Sequence, residues 1–129
     1  METLDNPAIS RLAARAKGDR EILAVILFGS RARGDASSAS DYDVCLVLAA
    51  PRSDLAAANK RLDYLAGDDL DIVLFHQLPL HVRSRVLREG QVLYTRDEEA
   101  LYALAVRTAR AFEGFRHIYR GYLDAVARG

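Results

Sequence analysis

The chain has 129 residues, half of them hydrophobic, with eighteen basic residues balancing eighteen acidic ones. That suffices for one domain with an ordinary core, gives no global positive field to attract nucleic acid, and contains no run near the roughly 20 apolar residues of a membrane span. The one cysteine, Cys45, cannot form an internal disulfide, and the amino terminus carries Glu2 and Asp5 instead of a basic and apolar leader, so a reducing, cytoplasmic setting is expected.

In chain order, Asn6 can cap and Pro7 can open a helix with Ile9, Leu12, Ala13 and Ala16 on one face, closing near Gly18. Ile22 to Phe28 follows as a strand whose apolar run does not alternate, the pattern of an interior strand covered on both faces. Arg31 to Asp35 can begin a short helix. Asp41 to Leu48 is the second strand, ended by Pro51, and Ser53 or Asp54 caps a helix with Leu55, Ala58, Leu62 and Leu65 at helical spacing, stopped by Gly67. Leu70 to Phe75 is a third strand. Pro79 opens a helix with Val82, Val86 and Leu87 that ends at Gly90, and Gln91 to Tyr94 makes a short edge strand. Thr95 and Glu98 have capping-box spacing before a long last helix, about Asp97 to Ala127. The order predicts an α/β (α+β) fold: one domain over residues 1–129, with a mixed sheet of about four strands, flanking helices and a long C-terminal helix.

The chemistry gathers at strand ends. Gly29 and Ser30 close the first strand, and after a ten-residue spacer Asp41, Tyr42 and Asp43 open the second. Residues two apart in a strand share a face, so Asp41 and Asp43 point the same way with Cβ atoms about 6.6 Å apart, a separation from which both can reach one divalent cation. As ordinary polar residues at a strand entrance they would repel and sit against strand preference; a bound cation compensates both costs. Gly29 lets backbone amides approach a phosphate, the Ser30 hydroxyl can donate to it, and Arg31 or Arg33 can add a charge-assisted contact. A third carboxylate on a neighbouring strand would complete a metal shell and accept a proton from an attacking hydroxyl. Asp71 opens the third strand and is preferred over Asp68 and Asp69, which fall in a loop.

The stretch GSRARGDASSASDYDVCLVL resembles the signature of the DNA polymerase β nucleotidyltransferase superfamily, and the brevity of the chain resembles its minimal nucleotidyltransferase branch. The resemblance implies that Gly29 and Ser30 hold nucleotide phosphates and that Asp41, Asp43 and Asp71 bind Mg²⁺. The segment LREGQVLYTRDEEALY before the long helix is similar to MntA-type antitoxins, which act beside HEPN-domain toxins of HepT type. That likeness implies transfer of AMP from ATP to a toxin tyrosine, with Asp71 assisting the hydroxyl. A small-molecule nucleotidyltransferase, an antitoxin acting by binding alone and template-free RNA tailing are the other readings; the chain lacks an evident second domain to enclose a small acceptor, and its balanced charge argues against RNA.

Other features carry less. Leu101, Ala105, Thr108, Phe112, Phe115, Tyr119, Tyr122 and Val126 form a heptad-like stripe on the last helix. Its first half is expected to cover the sheet. From Phe112 on it is aromatic enough to serve a partner or a homo-oligomer. Arg110 and His117 match the R-x(4-6)-H spacing of HEPN ribonucleases, which are all-helical, so the strands oppose that reading. His76 and His81 straddle Pro79 too irregularly for a metal pair, and Arg83, Arg85 and Arg88 read as a solvated basic stretch.

Overall fold

The computed structural model describes residues 7–29, 42–51, 53–64 and 70–128. Its elements are α1 (Pro7–Lys17), β1 (Ile22–Phe28), β2 (Tyr42–Leu48), α2 (Asp54–Tyr64), β3 (Leu70–Leu74), a 3₁₀ turn (Phe75–Gln77), α3 (Leu80–Glu89), β4 (Gln91–Thr95) and α4 (Glu98–Arg128). The two apolar runs, β1 and β2, form the centre of a four-stranded sheet of order β3-β2-β1-β4. β1 runs antiparallel to both of its neighbours, whereas β2 and β3 are parallel and joined through α2. A parallel pair requires such a crossover.

Helices cover both faces. Ile9, Leu12 and Ala16 of α1, with Ala57 and Tyr64 of α2, pack on Val25, Leu27, Val44, Leu46, Ile72 and Leu74. On the opposite face Phe75, Val86 and the half-buried Val82, Leu87, Leu101 and Leu104 meet Ala24, Ile26, Cys45 and Val47. β1 is therefore buried on both sides, as its unbroken apolar run predicts. Gly90 is needed where α3 ends: a Cβ there would lie 2.4 Å from the Val86 carbonyl oxygen and 2.5 Å from Ile26 Cγ2.

Three sequence expectations are corrected. The inward face of α2 is not the leucine stripe: Leu55 and Leu62 are 74% and 60% exposed, while Ala57 and Tyr64 are buried and Lys60 and Arg61 half-buried. Polar contacts decide this rotation. The Tyr64 hydroxyl donates to Asp19 Oδ2 at 2.8 Å, Lys60 Nζ bonds the same oxygen at 2.8 Å and reaches Glu21 at 2.5 Å, and the Arg15 guanidinium lies 4.3 Å from the Tyr64 ring centre. Burial pushes the Asp19 carboxyl up, but the bonds from Lys60, Tyr64 and the Glu21 amide outweigh it, so it titrates below the usual carboxylate value. Burial, with the Asp19 acceptor next, raises the Tyr64 phenol.

The second correction concerns the cap of α4. Asp97 Oδ1 accepts from the Ala100 amide at 3.1 Å, whereas the Thr95 hydroxyl turns to the Leu23 carbonyl at 3.3 Å because Thr95 still belongs to the sheet. The third is the end of β3, at Leu74 and not Phe75: the chain turns there into the 3₁₀ segment, with the Leu78 amide bonded to the Phe75 carbonyl. The last helix divides as expected. Thr108 is buried and Phe112 half-buried, but Phe115, Ile118, Leu123 and Val126 are exposed. The Tyr119 and Tyr122 side chains, Asn6, Leu65, Gly67 and the short helix at Arg31 to Asp35 lie outside the described residues.

Candidate active site

β1 ends as β2 begins, with Phe28 directly opposite Asp43, and Gly29 follows. Gly29 has φ +84°, a conformation favouring glycine, and a Cβ on it would lie 2.3 Å from Asp43 Oδ2. The missing side chain thus makes room for a carboxylate. This is a second use for a glycine that the sequence assigns to phosphate approach.

Across the other ladder Asp43 is in register with Asp71. Registered residues of a parallel pair point to one face, and adjacent strands lie about 4.8 Å apart, so the two carboxylates stand side by side. Asp43 is half-buried and Asp71, on the edge strand of the described sheet, is exposed. Two acids at this spacing repel unless a cation or donors lie between them. Further along the same face Asp43 is followed by Cys45, fully buried, whose thiol is pushed up to about 12 by burial. A buried thiol so shifted stays protonated near neutral pH, the state of a packing residue. The polar site is confined to the strand ends.

Ser30, Arg33 and Asp41, with the alternatives Arg31, Asp68 and Asp69, lie outside the described residues. Among the described residues no group of three or more His, Cys, Asp or Glu is close enough to hold a metal ion. Asp43 and Asp71 could offer two hard carboxylate oxygens of the kind that suits Mg²⁺, and Asp41 is the residue whose sequence position would supply a third. His76 packs edge-on against Phe75, with ring centres 5.5 Å apart, and His81 is exposed. One contact has no local sequence signal: Arg61 of α2 donates from Nε to the carbonyl of Ile72, next to Asp71, at 2.6 Å.

The polymerase β nucleotidyltransferase family matches residues 10–99. Protein adenylyltransferase MJ1547 of Methanocaldococcus jannaschii, as that protein is named, is 28% identical over 100 residues, covering 78% of this chain and 71% of that one. Among solved structures, a toxin–antitoxin structure with AMP-PNP superposes with a TM-score of 0.68 at 20% identity, covering 92% of this chain and 95% of the other. A tri-AMPylated Shewanella oneidensis HEPN toxin in complex with an MNT antitoxin gives a TM-score of 0.66 at 19% identity, with 98% of each chain covered. These likenesses carry the fold, and the family match carries the class: the chain belongs to the polymerase β nucleotidyltransferase family.

Proposed function

We propose that this nucleotidyltransferase is a Mg²⁺-dependent protein adenylyltransferase that acts as an antitoxin, moving AMP from ATP to a tyrosine of a HEPN-family toxin. The observation that carries the reading is the register of Asp43 with Asp71, with Gly29 shaped to admit the Asp43 carboxylate. It is supported by the relative named as a protein adenylyltransferase and by solved folds from toxin–antitoxin complexes, one with an AMPylated toxin. In this reading residues 1–129 form a minimal nucleotidyltransferase domain that acts in the cytoplasm, where the lone, buried Cys45 stays reduced. Among the described residues no helix is long and apolar enough to cross a membrane.

In this reading Gly29, Ser30 and Arg33 receive the triphosphate, and Asp41, Asp43 and Asp71 hold Mg²⁺. The ion, when bound, neutralises charge on the phosphates and relieves the repulsion between the carboxylates. Asp71, the exposed member, accepts the proton of the tyrosine hydroxyl. The hydroxyl oxygen bonds to the α-phosphorus, the bond from that phosphorus to the bridging oxygen breaks, and pyrophosphate leaves. The exposed apolar face of α4, with Phe115, Ile118, Leu123 and Val126, is the surface offered to the protein partner.

Incubating the protein with α-labelled ATP, Mg²⁺ and a neighbouring HEPN protein tests the reading. Label is expected to stay on a toxin tyrosine while unlabelled pyrophosphate is released. Transfer to small acceptors only would assign an antibiotic-type activity at the same site. Neutralisation that survives in Asp43→Asn without transfer would make the chain a binding antitoxin.

A further inference from the structure

We infer that the surface where α3 meets the outer half of α4 is a docking site for an acidic protein face, one that sets carboxylates around an apolar side chain. The inference rests on the proposed transfer to a protein acceptor and names the chemistry that this acceptor must present. The chain as a whole is charge-balanced, but these two segments are not: α3 and the part of α4 from Ala105 onward carry eight arginines against Glu89, Glu113 and Asp124. Glu89 lies 3.8 Å from Arg85 and Glu113 2.9 Å from Arg116, so two of the three acids are already held. Among the described residues the buried Arg83 Nε has no hydrogen-bond partner, and the exposed Arg88, Arg110 and Arg120 have no acid in reach. Carboxylates from outside relieve a surplus of this kind.

The arginines stand around an apolar hollow. An open cavity of about 250 Å³ lies between the two helices, lined by Leu87, Ala105, Val106 and Ala109 and by Arg88. From it Ala105, Ala109, Phe112, Arg116, Arg120 and Leu123 follow at steps of three and four, so they share one face of α4. The Arg88 guanidinium stands 6.0 Å from the Phe112 ring centre and that of Arg116 5.8 Å, so two cations gather on one half-buried ring. Small alanines with arginines beside them fit a leucine-sized side chain flanked by acids, the make-up of an interface hot spot. Other occupants match less well. A second copy on a two-fold axis would bring the same arginines to themselves. RNA would pair with the arginines, but the exposed Ile118, Leu123 and Val126 are aliphatic and give bases nothing to stack on.

Binding of the full chain to the neighbouring HEPN protein, read by calorimetry without ATP, tests this. Affinity should fall at least about tenfold between about 50 mM and about 500 mM salt. At the lower salt Arg88→Glu and Arg116→Glu should each weaken binding at least about tenfold, and Ala109→Trp, which fills the cavity from an exposed position, by a similar factor. Lys17→Glu, the same change of charge on α1 across the sheet, should leave affinity within about twofold. A second probe needs no toxin: a synthetic helical peptide of leucines flanked by glutamates should shift the NMR amide signals of α3 and of residues 105–123, and its lysine counterpart should not. Wild-type HEPN affinity in both arginine variants overturns the inference, as does an equal loss in Lys17→Glu. Loss of single-stranded RNA binding in the arginine variants with HEPN affinity intact reassigns the surface to nucleic acid. A wild-type chain that binds no HEPN protein refutes the proposed toxin partner instead, and the peptide pair then decides whether the surface takes an acidic face.

Discussion

The two ends of β1 carry acids for opposite reasons. Before its first residue Asp19 and Glu21 are met by Lys60, and Asp19 also by Tyr64, so the chain's own donors hold these carboxylates. Opposite its last residue Asp43 is set beside another acid, Asp71. Acid matched to base ties one loop to one helix. Acid set in register with acid is the arrangement that a bound cation would favour, and the proposed site rests on it.

The sharpest break of this comparison is at the acid pair. Asp43→Asn should lower AMP transfer at least about a hundredfold, read with labelled ATP, because a ligand is lost. Gly29→Ala, at the same end, meets both a positive φ and the Asp43 carboxylate. It should cost about 2 kcal/mol in denaturant unfolding and cut transfer as well.

At the other end the pattern reverses. Tyr64→Phe removes a hydrogen bond to a charged acceptor and should cost about 1.5 kcal/mol, a melting shift of about 5 °C, with transfer per folded molecule unchanged. Acid should act there too. The folded Asp19 titrates below its ordinary 3.8, so it adds stability above that value and loses it as pH falls further. Melting temperature should therefore drop below about pH 4, and less steeply in Asp19→Asn. Asp97→Ala, which uncaps α4, is smaller still at about 1 kcal/mol, whereas Thr95→Ala should not uncap the helix.

Much of this was legible in the chain. The doubly buried β1, the edge strand at Gln91, the division of the last helix and the family itself follow from apolar periodicity and from one motif. The α2 face was not: its leucines have helical spacing, but Tyr64 and Lys60 win the inward side through Asp19, more than forty residues away, and Arg61 through the Ile72 carbonyl on the next strand. Local spacing does not encode such partners. The α4 cap was misread for a related reason, because Thr95 is claimed by the sheet before it can serve the helix.

The sequence by itself determined which residues have the right chemistry: Gly29, Asp43 and Asp71 stand at the ends of apolar runs because strand alternation and turn preference put them there. Only the tertiary structure decided that Asp43 faces Asp71 across a parallel ladder, that the glycine makes way for a carboxylate, and that Arg61 ties β3 to its helix. Pairing between strands is fixed by long-range contacts whose cost and gain are settled only when the chain closes on itself.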